Sequence, residues 1–518
     1  MNETTPFEEI QESKDRSWTL RLVAMISSGE LTDLKKVSRT LSYLDDPRAL
    51  PILTSILEDR QNSLEVREAA SDVLCSCLTL DTSEIRRGWW FSGDPILMRH
   101  AIRNAERSEK ELIAAIASDP EDENHINAIS TLAHWEEPTY QRLLIAALNH
   151  SDASVREAAA DALLWEQPVA AEKRLLEISQ ESDEEAAIAA LNTLCYCASK
   201  EIILTLDELR KNGQESIRSE YENAFFHVRE EFASTISKNW RTEAAKKRFL
   251  AWLEPLANCV SANENVECRL DDEDLANETP PSSAPPQNAK VNSTSNSFSV
   301  EQIIEDLSQL DAKWNEKLRR YAHIEHWKDM ETSDRNRLSK FLSSSNDPLV
   351  REIAAGACPI WNDWQTMLVL LHDPLVFIRK TASYYSRDLE PNQLIAERLW
   401  EVFQDDATTG CFATESLQSY LIHARDINEE VLLFDLARND PRPSVRLESI
   451  YQLHNLKAGD AITQLKPILL EPPSNTWSVH IALLDALTDL CIEIPSLEHL
   501  RNVDNLYLQE AIAEALEK

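Results

Sequence analysis

Two histidines offer the strongest potential for metal chemistry in this chain. His323 and His326 lie three positions apart with Glu325 between them, a spacing that places two imidazole groups near one face of a helix. No third ligand is identifiable, and the neighbouring Trp327 favours packing of this segment. The sequence also lacks a nucleophile elbow, a phosphate-binding loop and a dinucleotide fingerprint. We therefore predict no catalytic residue, no cofactor and no metal.

The nine cysteines are scattered and form no C-x-x-C pair. Cys75 and Cys77, like Cys195 and Cys197, lie two positions apart in helical patterns. Their side chains would point about 200° apart, which disfavours a shared metal. We interpret them as buried, reduced thiols. Because polar residues follow Met1, where a secretory signal would be apolar, we predict a cytoplasmic location.

The charge balance indicates the chemistry of a partner. The 89 acidic residues outnumber the 52 basic residues and give a formal net charge of −37. Such a field repels a phosphate backbone and attracts basic surfaces. No apolar stretch approaches the roughly 18 residues that a membrane-spanning helix needs. We therefore predict a basic protein partner, no nucleic acid and no membrane, and the sequence leaves the oligomeric state open.

A recurring phrase predicts the positions of the helices. It combines an apolar residue, an arginine, an acid and alanines, and it occurs at residues 64–70, 152–159, 347–354 and, more loosely, 443–448. Weaker copies keep a spacing of about 28 to 34 residues, the length of two helices and two turns. Only 7 of 518 residues are glycine, and helix-forming residues dominate. This pattern predicts stacked helix pairs.

The aspartate, the Val-Arg pair and the alanines at the start of a second helix, preceded by a first helix over residues 46–57, resemble the signature of the HEAT-repeat family. The resemblance implies an all-α fold, a right-handed superhelix of stacked HEAT-like helix pairs. In that family, aspartates and arginines of successive units form a hydrogen-bonded ladder. The resemblance therefore implies ladder roles for Asp152, Arg156, Asp347, Arg351, Arg67, Arg379 and Arg446.

The helical pattern is interrupted once. Residues 261–298 are acidic around Asp271–Asp274 and then rich in proline, serine and asparagine, a composition that cannot bury a core. We predict an N-terminal solenoid over residues 1–260, a disordered linker over 261–298 and a C-terminal solenoid over 299–518, able to close like a clamp. The aspartate cluster is alternatively a docking tag for a basic partner.

A basic cluster precedes this linker. Arg241, Lys246, Lys247 and Arg248 form the one notable positive group in the sequence. We interpret it as the solvated face of a capping helix, with the acidic linker as an alternative intramolecular partner.

An aromatic segment interrupts the repeat where a first helix is expected. Arg86, Arg87, Trp89, Trp90 and Phe91 are candidates for binding a partner, because Trp and Arg are enriched at interaction hot spots. The alternative is that a shortened helix packs its aromatic side chains between repeats.

These observations predict a non-catalytic protein-binding scaffold or adaptor that holds a basic protein partner on a curved helical-repeat surface. The alternative is a HEAT-like enzyme such as a bilin-type cofactor lyase, because the bilin lyases of phycobilisomes are similar in repeat type. A resemblance to HEAT-like DNA glycosylases is disfavoured by the charge. HEAT-like di-iron hydroxylases carry His-Glu pairs, and this sequence has no His-Glu dipeptide.

Overall fold

The computed structural model describes residues 7–29, 34–77, 82–90, 92–105, 109–132, 138–164, 169–197, 199–256, 259, 299–309, 324–405, 410–425, 427–471, 477–501 and 503–517. Within these ranges the regular elements are helices. The linker predicted over 261–298 and the imidazole groups of His323 and His326 lie outside what the structure describes. We call residues 7–256 the N-terminal run and residues 299–517 the C-terminal run.

The N-terminal run consists of short helices in pairs. They are α1 (Phe7–Ser13), α2 (Thr19–Ser28), α3 (Leu34–Leu44), α4 (Leu50–Glu58), α5 (Leu64–Ser76), α6 (Ser83–Trp89), α7 (Pro95–Arg103), α8 (Lys110–Ser118), α9 (His125–Leu132), α10 (Pro138–Ala147), α11 (Ala153–Leu163), α12 (Val169–Ile178), α13 (Glu184–Cys195), α14 (Lys200–Asn212), α15 (Arg218–Ser237) and α16 (Glu243–Leu253). Short 3₁₀ helices span Arg16–Trp18, Pro47–Ala49, Glu215–Ile217 and Glu254–Leu256.

The C-terminal run repeats this plan. Its helices are α17 (Val300–Ser308), α18 (Thr332–Ser343), α19 (Pro348–Trp361), α20 (Trp364–Leu370), α21 (Val376–Ser386), α22 (Gln393–Asp405), α23 (Gly410–His423), α24 (Glu429–Asn439), α25 (Pro443–Asn455), α26 (Gly459–Gln464), α27 (Trp477–Asp489) and α28 (Leu506–Ala515). Its 3₁₀ helices span Ile324–Asp329, Lys466–Leu470 and Glu498–Leu500.

The acidic residue before the repeated phrase begins the second helix of a pair. The Asp94 carboxylate accepts hydrogen bonds from the N–H groups of Ile96 and Leu97 at 3.1 and 3.4 Å. Asp347 accepts one from the N–H of Leu349 at 3.1 Å. A proline follows each of these two aspartates at the first helical position, where its missing N–H costs nothing. Each cap satisfies donors that the helix itself leaves unpaired.

Second helices of successive pairs pack against one another, from α3 through α5, α7, α9, α11 and α13 to α15. Small side chains allow this close approach, and Ala159, Ala160 and Ala190 are buried completely. The Thr193 hydroxyl donates to the carbonyl of Ala160 on the preceding second helix at 2.7 Å. Apolar packing and side-chain hydrogen bonds therefore join each repeat to the next.

The two runs meet near their beginnings at what we call the first junction. Arg16 and Asp347 form an ion pair at 2.5 Å, with side-chain exposures of 0% and 1%. Arg16 also donates to the carbonyl oxygens of Leu44 and Asp45 at 3.1 and 2.6 Å. A buried charge needs this combination of a counter-ion and saturated hydrogen bonding.

The runs meet again near their ends, at the second junction. Helix α28 packs against α16, and Leu506 and Ala513 of α28 belong to the apolar core of the N-terminal run. The Asp504 carboxylate accepts hydrogen bonds from the N–H groups of Lys200 and Glu201, both at 2.9 Å. A loop of the C-terminal run therefore caps helix α14 of the N-terminal run.

The first junction predicts a large stability effect from a single substitution. Arg16→Ala leaves Asp347 buried without its counter-ion, which should cost about 3 to 5 kcal/mol. The midpoint of urea unfolding measures this loss. Arg39→Ala, at an exposed position, is the control and should shift stability by less than about 0.5 kcal/mol. Equal small effects of both substitutions would show that the buried pair contributes nothing.

The second junction predicts a pH dependence. Burial, and then the nearby Asp504 carboxylate, raise the pKa of the Glu172 carboxyl to about 8. Between about pH 5 and pH 8 the folded protein therefore holds a proton that the unfolded chain has lost, so stability falls as the pH rises, by at most about 1.4 kcal/mol per pH unit. Glu172→Gln should remove this part of the decline in urea midpoint. The exposed Glu208→Gln should retain it, and identical pH profiles for the two variants would contradict the assignment.

Candidate functional site

The structure places the aromatic segment inside the stack of repeats. Trp89 is 3% exposed, and its indole N–H donates to the Glu58 carboxylate at 2.8 Å. Its ring meets the His100 ring edge-on, with centroids 5.0 Å apart. Trp89 therefore contacts the preceding repeat through Glu58 and its own second helix through His100.

Trp90 and Arg86 share one carboxylate. Trp90 is 7% exposed and its indole N–H donates to Glu109 at 2.5 Å, while Arg86 pairs with the same carboxylate at 3.3 Å. The side chain of Arg87 and all of Phe91 lie outside the described part of the chain. The described side chains follow the packing interpretation. Partner binding by this segment stays a prediction, and it would require both indoles to leave these positions.

A buried polar group lies beside Trp89. His100 Nδ1 is 2.9 Å from the Ser71 hydroxyl and 3.4 Å from Cys75 Sγ, and Asn104 donates to the same sulfur at 3.0 Å. Burial, and then the positive charges of nearby arginines, lower the pKa of His100 to about 3. Burial raises the pKa of Cys75. A neutral imidazole beside a protonated thiol favours hydrogen bonding between helices over nucleophilic chemistry.

The arginines of the repeated phrase bind backbone carbonyls of the preceding helix end or of the loop within their own repeat. Arg351 donates to the carbonyl of Ser345 at 2.8 Å, and Arg156 to that of His150 at 2.9 Å. Three further cases follow, in which Arg379 binds the carbonyl of Asp373, Arg67 that of Leu57, and Arg446 that of Ala437. The five arginines share the role of binding a carbonyl in the last turn of the preceding helix or in the loop that follows it.

Their acidic partners vary from repeat to repeat. Arg67 pairs with Asp94 at 2.9 Å, and Arg351 pairs with Asp373 at 2.6 Å, each joining one repeat to the next. Arg156 instead pairs with Glu181 at 2.7 Å.

Two aspartates of the expected ladder have other partners. Asp152 caps its own helix by accepting from the N–H of Ser154. Asp347 caps α19 and pairs with Arg16 of the N-terminal run. The ladder implied by the resemblance is therefore replaced at these two aspartates by a local cap and by a contact between the runs.

A group of four carboxylates lies on α11 and α13. Glu157 and Asp161 lie one turn apart on α11, and Asp183 and Glu185 lie at the start of α13; we call these four residues the acidic ridge. Burial raises the pKa of Glu157, and the carboxylates of Glu185, Asp161 and Asp183 raise it further. No ion pair among the described side chains includes any of the four.

In another part of the stack, on α5, carboxylates at the same spacing have ion-pair partners. Glu68 and Asp72 on α5 have the same spacing as the two acids of α11. They pair with Arg99 and Arg103 of α7 at 2.9 and 3.1 Å. The ridge differs from this region because α13 has Ile188 and Asn192 at the positions, counted from the N-cap, where α7 has Arg99 and Arg103.

Sequence reasoning missed the ridge, although a signal was present. The glutamate of the repeated phrase is Glu157, and a second acid follows it four positions later. Like charges at this spacing destabilise a helix unless a cation lies near them. An acid pair of this kind with no arginine in the next repeat is a recognisable pattern.

Residues 109–195, which contain the acidic ridge, match the family model described as HEAT repeats. Over these residues the chain is similar to HEAT repeats. No curated protein was found to match the sequence. The matched HEAT repeats run from α8 to α13 and show the helix pairs that the repeated phrase predicted.

Several solved structures show a likeness to this chain at low identity. Human deoxyhypusine hydroxylase is 16% identical, with a TM-score of 0.24, over 43% of this chain and 96% of its own. A chain of the S. pombe condensin Cnd3-Cnd2 subcomplex is 14% identical, with a TM-score of 0.30, over 94% of this chain and 68% of its own. Kap95p, from a structure with RanGDP, is 14% identical, with a TM-score of 0.25, over 99% of this chain and 66% of its own. Scores of this size carry no argument about function.

Two further features bear on the type of site. Among the described helices, none is both long and apolar enough to cross a bilayer. The described residues also contain no group of three or more histidine, cysteine, aspartate or glutamate side chains placed to hold a metal ion.

The packing of the aromatic segment predicts its mutational behaviour. Trp89→Ala and Trp90→Ala each remove a buried indole and should each cost about 3 to 5 kcal/mol. Thermal unfolding followed by circular dichroism measures the loss. Leu64→Ala, at an exposed apolar position, provides the control and should change stability little. An unchanged melting temperature in the Trp variants would contradict the packing interpretation and favour the partner-binding one.

Proposed function

We propose that this chain is a non-catalytic scaffold that binds a basic protein partner on its HEAT-repeat surface, and that the acidic ridge is one contact region. The observation that carries the proposal is the set of four carboxylates on neighbouring second helices with no described ion-pair partner. Helical repeats commonly offer such extended surfaces to other proteins. We further propose two solenoids, over residues 1–260 and 299–518, and a cytoplasmic location in which thiols stay reduced.

A basic partner would relieve an electrostatic cost that the free protein carries. The raised pKa of Glu157 reflects carboxylates that repel one another and are partly removed from water. Lysine or arginine side chains of a partner would supply the counter-ions that α13 lacks. Binding to such a surface gains speed and specificity from complementary charge.

Neutralising the ridge tests this function. Glu157→Gln with Asp161→Asn should weaken binding of a fluorescent lysine-rich peptide by about tenfold at low salt, since each exposed charge pair contributes up to about 1 kcal/mol. Fluorescence anisotropy measures the affinity. The matched control is Glu68→Gln with Asp72→Asn, which removes the same charge at the same helical spacing from acids that Arg99 and Arg103 already pair.

The control should change the affinity by less than about twofold. Equal losses in the two variants would show that only net charge matters and would remove the ridge as a site. The same two variants can serve as baits in affinity purification from the native cell. A basic protein retained by wild type and by the control, and lost by the ridge variant, would identify the partner.

A further inference from the structure

The second junction holds the most concentrated set of ion pairs between the two runs. Lys238 pairs with Glu510 and, at 3.1 Å, with Glu514. Arg241 pairs with Glu514 at 2.9 Å and with Asp489 at 3.0 Å.

Arg248 adds a third cation, paired with Glu517 at 3.0 Å. Residues 238–248 thus lie along the last two helices, α27 and α28, and contact them through basic side chains. The cluster interpreted from the sequence as a solvated face is in part an intramolecular contact, and its described partners are Asp489 of α27, Glu514 of α28 and Glu517 just after α28.

The carboxylates of α27 and α28 outnumber the cations that face them. Besides the four paired acids, Asp485 lies beside the same cations. Burial raises the pKa of Asp485, and the attraction of Arg241 is opposed by the carboxylates of Asp489 and Glu514. The acidic surface therefore retains negative charge even when the basic segment covers it.

The two junctions differ in exposure. Arg16 at the first junction is 0% exposed, whereas Arg241 and Arg248 at the second are 48% and 43% exposed. Each exposed ion pair contributes little to stability. Salt weakens such pairs, with a screening length of about 10 Å at moderate ionic strength. The ion pairs of the second junction are therefore more accessible to salt and to a competing cation than the pair at the first junction, while Leu506 and Ala513 of α28 remain in the apolar core beside them.

We propose that residues 238–248 act as an internal basic peptide that covers an acidic docking surface on α27 and α28, and that a basic helical segment of a partner binds this surface by displacing them. The partner class is fixed by what the surface already holds: lysine and arginine side chains that reach Asp489, Glu510 and Glu514. The inference rests on the proposed function, in that the partner is a basic protein, but it concerns a surface separate from the acidic ridge.

An intramolecular segment competes strongly with a partner. A tethered segment has an effective concentration of order millimolar, so a free peptide of the same sequence should bind weakly to the closed protein. Opening the contact should expose the surface and strengthen binding.

The test uses the full-length protein and a labelled synthetic peptide with the sequence of residues 236–251. Lys238→Glu with Arg241→Glu should open the second junction. We expect a larger maximum dimension in small-angle X-ray scattering, and peptide binding at least about tenfold tighter than to wild type. Lys246→Glu with Lys247→Glu, in the same segment and with the same charge change, is the control and should behave as wild type.

A charge-swapped variant separates opening from unfolding. Adding Glu510→Lys and Glu514→Arg to the opened variant should restore the wild-type dimensions and abolish binding of the peptide. Equal peptide affinities for wild type and the opened variant, or unchanged dimensions, would overturn the proposal. If the opened variant loses its helical circular dichroism signal, its peptide binding is not interpreted and the charge-swapped variant is the test. Failure of the charge-swapped variant to restore the wild-type dimensions would then overturn the proposal. All of these variants keep the acidic ridge unchanged, so a difference in peptide affinity between them reports on the surface of α27 and α28.

Discussion

The structure depends on an arginine near the start of five of the second helices: Arg67, Arg156, Arg351, Arg379 and Arg446. Its guanidinium group binds a carbonyl of the loop between the two helices of its repeat, as Arg351 and Arg156 do, or a carbonyl in the last turn of the first helix, as Arg67 and Arg446 do. Loop carbonyls at the end of a helix have no partner within the helix, so this contact fixes the angle between the two helices of a pair. Where the same arginine also meets an acid of the next repeat, as Arg67 meets Asp94, one side chain sets both the shape of a repeat and its position in the stack.

A stack of repeats has two ends, and each end exposes the apolar face that would contact another repeat. Here the two runs cover parts of each other's ends. Leu506 and Ala513 of α28 join the core of the N-terminal run, and the buried pair of Arg16 and Asp347 joins the beginnings of both runs. Each run therefore covers apolar surface of the other that a polar terminal repeat usually covers. A change at one junction alters the solvent exposure of both runs.

The sequence predicts what is local and repeated. The caps at Asp94 and Asp347 follow from residue type and spacing, and both helices begin where the repeated phrase places them. The pairing of Asp347 with Arg16 has no local signal, because the partners are 331 positions apart and belong to different runs. The burial of Trp89 and Trp90 does not follow from the sequence, because tryptophan occurs both in cores and on binding surfaces.

Charge explains why the contact at the second junction has to be local. Both runs belong to a chain of net charge −37, so beyond contact distance they repel each other, and salt weakens that repulsion. At contact distance, Lys238 and Arg241 convert the interaction into attraction, and salt weakens this as well. The two effects have different ranges, because the repulsion sums over whole surfaces and the attraction over a few side chains. A small number of basic residues therefore adds attraction to the apolar contacts and the buried ion pair that join the runs, and any competing basic group acts on the same few carboxylates.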